Sequence, residues 1–253
     1  MKRNENVESI VSKKEQSRGG ASLRWNKWQN AQRAVSWFRL IPWVTSIWIT
    51  GSLAVGNIKD SDDIDFLIIT RNNRLWITRP LIVFLGLVQH KIRLHSHPAN
   101  QVKDQWCCNL WLEESALDLS ESHSLYSARE LMQAWPVYQQ SSGKAEQFIA
   151  ANQWVKQYSF RGWVTALQRA RWLFPRPPLL WLVFPSMQLA DLIWKQINSL
   201  AYVLQRWYMQ PRQKNERVNK SQAFFHPQNR EDKVEAEYER IVSKLQKVIY
   251  GHS

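Results

Sequence analysis

Cysteine is nearly absent. The chain has two in 253 residues, adjacent at Cys107 and Cys108, and two neighbours cannot build a disulfide framework, so a reducing cytoplasm is the expected compartment. Glycine and proline are sparse, at 8 and 10, which excludes collagen-like and low-complexity classes. Long apolar runs are also missing. The greasiest stretch, residues 179–194 (LLWLVFPSMQLADLIW), is broken by Pro185 and carries Asp191, whereas a spanning helix needs about 20 apolar residues. That stretch and residues 81–88 therefore read as core, and no membrane span is expected. Residues 1–22 lack the apolar centre of a secretory signal. There is no Gly-x₄-Gly-Lys-Ser/Thr loop and no Gly-x-Ser-x-Gly elbow, so P-loop and hydrolase chemistry find no support. Acidic residues are in deficit, 21 against 34 basic, for a formal net charge of +13.

What is present is a 44% hydrophobic chain with 15 tryptophans, long enough for one large domain or two small ones at about 150 residues each. The charge points to a polyanionic partner such as nucleic acid or a membrane surface, or simply to a soluble basic protein. Its distribution is uneven. Residues 41–120 hold seven basic and eight acidic groups, while the rest of the chain holds 27 and 13.

Residues 1–24 are rich in Lys, Arg, Glu and Ser without apolar periodicity and read as a disordered basic tail. Residues 25–40 carry a helical stripe of Trp28, Ala31, Ala34, Val35 and Phe38. Three strands are expected, at 44–50 (VTSIWIT), 63–70 (DIDFLIIT) and 106–112 (WCCNLWL), with a buried helix at 75–89. Beyond residue 122 the pattern becomes helical. Ser127 and Glu130 have capping-box spacing for a helix ending near Pro136. Further helices are expected at 143–158, 185–209 and 231–250, with a polar connector at 210–229. The division is an α/β (α+β) domain at 25–122 followed by a helical domain at 123–253.

The chemistry concentrates where the first strand ends in Thr50-Gly51-Ser52 and, ten residues later, Asp63-Ile64-Asp65 opens the second. Strand side chains alternate, so Asp63 and Asp65 share a face. Two close carboxylates repel unless a cation shares them, and hard oxygen donors suit Mg²⁺ together with substrate phosphates. Gly51 permits close backbone approach to a triphosphate, Ser52 adds a hydroxyl, and residues 53–57 can form a short helix. The alternative is a solvated acidic strand start, with 60–63 only a polar loop.

At these residues the chain resembles the polymerase-beta-like nucleotidyltransferase superfamily, whose pattern is an apolar strand, Gly-Ser, then Asp-apolar-Asp. It is similar to uncharacterised prokaryotic proteins with a nucleotidyltransferase domain. The likeness extends over roughly residues 25–230 and includes Asn109, Glu113-Glu114, 126–132, 152–154, Tyr208-Met209 and Phe225-His226-Pro227. The resemblance implies a nucleotidyltransferase-type small mixed sheet. It also implies transfer of a nucleoside monophosphate from an NTP to an acceptor hydroxyl with release of pyrophosphate. In that reading Asp63 and Asp65 bind Mg²⁺ (or Mn²⁺), and Gly51 and Ser52 hold phosphates. A third carboxylate on the next strand is part of the pattern, and here the chain departs from it. Asn109 holds the central polar position of the third strand, and an amide accepts no proton at neutral pH. Glu113 lies roughly 13 Å further at about 3.3 Å per residue. Asp118, in Leu117-Asp118-Leu119, is the rival.

Other features carry weaker signals. His95-Ser-His97 offers two metal donors in what reads as a plain loop. Cys107 and Cys108 must face opposite sides of their strand, one of them core. Residues 160–174 alternate aromatics with Arg161, Arg169 and Arg171, suiting nucleic acid or a helix with a solvated basic face. Trp207, Tyr208 and 224–226 fit an acceptor groove or a core. The competing expectations are a catalytically weakened nucleotide- or RNA-binding protein, and a toxin–antitoxin partner that transfers nucleotides to a protein side chain. An RNA acceptor would dock on the basic flanks.

Overall fold

The computed structural model describes residues 2–93, 102–119, 123–177, 191–210, 217–225 and 240, with only the backbone for 2–19. The elements are α1 (Lys2–Phe38), β1 (Val44–Thr50), α2 (Gly51–Val55), β2 (Ile64–Thr70), α3 (Leu75–Val88), β3 (Trp106–Glu113), α4 (Leu125–Gln133), β4 (Trp135–Gln139), α5 (Lys144–Ala151), α6 (Phe160–Arg171), α7 (Asp191–Met209), β5 (Arg217–Val218) and β6 (Gln222–Phe224). A 3₁₀ turn at Gln153–Gln157 joins α5 to α6.

The six strands form one mixed sheet in the order β4-β1-β2-β3-β6-β5. Strands β2 and β3 are parallel, a pairing that needs a crossover, and α3 lies in the connection. The neighbours β1/β2, β1/β4, β3/β6 and β5/β6 are antiparallel. Every residue of β1 and β2 is buried, which suits their β-branched and aromatic content, and the buried hydroxyls of Thr45, Ser46 and Thr70 donate to backbone carbonyls. One face packs Ile47, Ile49, Phe66 and Trp111 against Ala31, Ala34 and Phe38 of α1 and Leu75 and Trp76 of α3. The other packs Trp48, Leu67, Ile69 and Leu112 against Leu131 of α4, Phe148 of α5 and Ala166 of α6.

Helix α3 keeps its backbone satisfied with help from α7. Pro80 sits inside α3 and supplies no N–H for the carbonyl of Trp76 four residues earlier; Gln205 Nε2 donates to that oxygen at 2.6 Å. At the start of the helix, Asn198 Oδ1 accepts from the N–H groups of Trp76 (2.8 Å) and Ile77 (3.3 Å).

Several expectations change. Residues 2–24, expected as a disordered tail, are helical and continuous with the stripe-bearing part of α1; they are rich in Lys, Glu and Arg, which favour helix without marking a buried face. The second half is not purely helical. It supplies β4, β5 and β6, so the sheet runs across the expected boundary at 122/123. Strand β4 is short and contains Pro136, which is tolerated because β4 is an edge strand. The N-cap of α4 is Ser124, whose Oγ accepts from Ser127 N at 3.1 Å, one turn before the expected capping box. Within residues 81–88, expected as core, Ile82 is buried but Leu81, Phe84, Leu87 and Val88 are exposed. Residues 178–190, His95, His97, His226 and all of 231–250 except Arg240 lie outside the described residues. Among the described residues, no helix is long and apolar enough to cross a membrane.

Candidate functional site

The edge of the chemistry is the end of β1. Thr50 is extended, and Gly51 then turns with φ +64°, a region L side chains rarely occupy. A Cβ on residue 51 would stand 2.2 Å from Asp65 Oδ2. Thr50 pairs with Asp65 across the antiparallel β1/β2 register. The turn that sequence reasoning linked to phosphates is thus packed directly on one of the two carboxylates. The short helix α2 begins at Gly51, two residues before the expected start.

The acidic loop is tied down before it reaches the site. Lys27 of α1 is fully buried. Its ammonium donates to the carbonyls of Asp60 (3.0 Å) and Asp62 and pairs with Asp104 Oδ1 at 3.1 Å. Asp104 N donates to Asp62 O at 3.1 Å, and Asn30 links Asp104 O (2.9 Å) to Trp106 Nε1 (3.0 Å). One helix therefore fixes both the segment leading into β2 and the segment leading into β3. The Asp60 carboxylate is exposed and pairs with Lys103, in the segment leading into β3, at 2.6 Å, while Asp62 Oδ2 accepts from Lys59 N at 2.9 Å within the loop.

Asp63 immediately precedes β2 and Asp65 is its second residue. Asp65 is buried. Among the described residues, Asp63, Asp65 and Cys107 bring one ligand atom each to within 4.8 Å of one another. Cys107 enters because it sits beside Asp65 in the parallel β2/β3 register. Burial pushes the Cys107 thiol well up, the carboxylates of Asp65 and Asp63 add to the shift, and Arg93 opposes it. Cys108 faces the opposite side, packed against the core, where burial pushes its thiol up as well.

Arg93 completes the cluster. A short bridge of Ile92 to Trp106 and a hydrogen bond from Arg93 N to Trp106 O at 2.9 Å lay it beside β3. Its guanidinium is ion-paired with Asp63 and lies 4.0 Å from Cys107 Sγ. Burial works against its charge, but Asp63, Cys107 and Asp65 outweigh that and raise its pKa.

The two candidates for the third-carboxylate position separate clearly. Asn109 is the extra residue where Phe66 pairs with Cys108 but Leu67 pairs with Leu110, a β-bulge. Its Nδ2 donates to Asp65 Oδ1 at 2.6 Å. Asp118 is not in a strand. It is half exposed, 4.0 Å from His123, on a loop held by Asn152, which donates to Leu117 O (2.8 Å) and accepts from Leu119 N (2.9 Å). The rival position is therefore not among the clustered ligands. Glu113 is buried and caps α3, accepting from Arg74 N (3.1 Å) and Leu75 N (3.2 Å), and Glu114 pairs with Lys144 at 2.8 Å. Ser52 follows Gly51 at the start of α2, half-buried.

Sequence reasoning missed Arg93, Lys27 and the thiol of Cys107. Parity from Asn109 does put Cys107 on the Asp65 face, but only strand pairing says which residue lies beside which. Of the aromatic and basic segment, Arg169 is not on a solvated face. It caps α4 by donating to the carbonyls of Met132 (2.5 Å) and Ala134 (3.1 Å) and stacks over Trp135 at 4.8 Å. Arg171 pairs with Glu146 at 2.7 Å. Trp207 and Tyr208 are exposed on α7 rather than core.

As a cation site the donor set fits one divalent ion. Asp63 and Asp65 supply hard oxygens, and Cys107 adds a softer donor. A second ion in the two-metal manner finds no third carboxylate among the described residues at this cluster. Comparison with protein-family models, with curated proteins and with solved structures finds no match to this chain.

Proposed function

We propose that the protein is a cation-dependent nucleotidyltransferase that moves a nucleoside monophosphate from an NTP to an acceptor hydroxyl and releases pyrophosphate. The observation carrying this reading is the seating of a Gly-Ser turn, with no room for a Cβ at Gly51, against the Asp65 carboxylate of an Asp-x-Asp pair. Asp63 and Asp65 are the residues that would hold Mg²⁺ or Mn²⁺. A bound cation there would neutralise the triphosphate and the departing pyrophosphate.

The remaining work belongs to the chain. The backbone at Gly51 and Ser52 offers close approach to phosphate oxygens, and Arg93 brings a positive charge to Asp63. Asn109 is a positioning residue, since it orients Asp65. In the transfer, the acceptor oxygen bonds to the α-phosphorus as the bond to pyrophosphate breaks. The acceptor's proton leaves to solvent or to a group other than Asn109, whose amide cannot take it. The excess basic charge outside residues 41–120 suits a polyanionic acceptor such as RNA; a protein hydroxyl is the other class of acceptor.

The test is incubation with each labelled NTP, Mg²⁺ or Mn²⁺, and RNA or cell lysate, beside an Asp63→Asn/Asp65→Asn double variant. Incorporation that the double variant abolishes supports the enzyme. Incorporation that survives in it overturns the assignment of these residues.

A second reading has its own observation. Asp63 already pairs with Arg93 and Asp65 with Asn109, so both carboxylates are partly satisfied within the protein. A nucleotide- or RNA-binding protein that keeps the fold without turnover would show this. Its signature is cation-dependent nucleotide binding with no incorporation from any NTP.

A further inference from the structure

We infer that Cys107 makes the cluster a site for a thiophilic divalent cation of the Zn²⁺ or Co²⁺ class, held by Asp63, Asp65 and Cys107 together. The inference rests on Asp63 and Asp65 being cation ligands and does not depend on the transfer reaction.

Geometry supplies the first argument. Asp65 and Cys107 are register neighbours on parallel strands, Asp63 lies two residues before Asp65, and the three donor atoms lie within 4.8 Å of one another. With metal–sulfur near 2.3 Å and metal–oxygen near 2.1 Å, tetrahedral donors sit about 3.5 Å apart, a closure that side-chain rotation can provide. Carboxylates alone suit Mg²⁺ and Mn²⁺, whereas an added thiolate shifts preference towards Zn²⁺ and Co²⁺.

Thr50 supplies an independent observation. It is 3% exposed, it stands directly across from Asp65 in the β1/β2 register, and its hydroxyl has no hydrogen-bond partner among the described residues. A buried hydroxyl without a partner is costly. A cation at the carboxylates, or a water on that cation, would satisfy it.

Charge agrees with both. Two carboxylates and a thiolate carry three negative charges, which a divalent cation and Arg93 balance. Arg93 already touches two members of the cluster, pairing with Asp63 and lying 4.0 Å from Cys107 Sγ. On coordination the sulfur–hydrogen bond is exchanged for a sulfur–metal bond. The proton passes to solvent, and no electrons change hands.

The experiment titrates the metal-free full chain with Co²⁺ and, separately, with Mg²⁺. It reads the thiolate-to-cobalt charge-transfer absorption and both affinities, for the parent and the Cys107→Ser, Cys108→Ser and Asp63→Asn/Asp65→Asn variants, each checked for folding by circular dichroism. The parent is expected to show the charge-transfer band saturating at one equivalent and reversed by Zn²⁺. Cys108→Ser keeps the band. Cys107→Ser loses it together with about tenfold or more of the Co²⁺ affinity. A folded parent without the band, or a band that survives Cys107→Ser, overturns the inference. If cations bind without the band and the double aspartate variant abolishes that binding, the carboxylate site stands and the thiol ligand falls. If the parent binds neither cation, both fall.

Discussion

Gly51 and Asp65 are packed so closely that a Cβ on residue 51 would stand 2.2 Å from Asp65 Oδ2. Two demands meet at one residue, because Gly51 also has φ +64°. Neither the turn nor the buried carboxylate can shift without disturbing the other.

The Gly51→Ala variant therefore loses on both counts. The backbone conformation alone costs about 1–2 kcal/mol for an L residue, and the clash with Asp65 adds to it. Chemical denaturation should show a loss of about 2 kcal/mol or more, with cation affinity down by about tenfold. Stability and affinity equal to the parent would mean that the turn is looser than described.

Lys27 is the buried fastener between α1 and the acidic loop. Lys27→Met removes an ammonium from two carbonyls and from Asp104 while keeping much of the side-chain volume. Breaking a buried pair on one side costs about 3–5 kcal/mol, and the part-exposed Asp104 places the expected loss near the lower end. Denaturation measures the loss. Cation affinity should fall with it, since Asp63 follows directly on this loop.

Glu113 gives a pH dependence whose sign follows from its environment. Burial raises its pKa, and the N–H groups of Asn73, Leu75 and Arg74, with the Arg74 charge, only partly offset that. The folded value thus lies above the unfolded value of about 4.3. The folded state holds this proton more tightly, so the contribution is fully present below about pH 4 and is lost as pH rises through the folded pKa. Relative to Glu113→Gln, the parent should lose stability between about pH 4 and neutrality. Denaturation midpoints across that range check it, and a parallel pair of curves would contradict it.

Asn109→Asp places a carboxylate where an amide now donates to Asp65 Oδ1 at 2.6 Å. Two facing carboxylates repel without a cation, so the variant should be about 1–3 kcal/mol less stable in chelator. Mn²⁺ should restore more stability to it than to the parent. Equal losses with and without Mn²⁺ would place Asn109 outside the cation's reach.

Legibility in the sequence followed the length and burial of each element. Strand β1 was readable from its β-branched and aromatic residues and helix α3 from its apolar run, and β1, buried on both faces, has its expected bounds of 44–50. Strands β4, β5 and β6 are five, two and three residues long, too short for any periodicity to register. With them went the fact that the sheet spans both halves. At the site, Asp63, Asp65 and Gly51 come together as spacing and alternation suggested, and Asn109, singled out through the resemblance, reaches Asp65. Asp118 satisfied the same apolar-acid-apolar pattern, but Asn152 holds the backbone on either side of it in a loop. Arg93 and Lys27 could not be read because they reach the acids across the fold, 30 and 33–35 residues away in sequence.

The most direct measurement is labelled-NTP binding at equilibrium, with and without Mn²⁺, by the parent and by Asp63→Asn/Asp65→Asn. Binding by the parent should be saturable, require the cation and be lost in the double variant. Equal binding by the two proteins, or binding indifferent to the cation, would contradict that expectation.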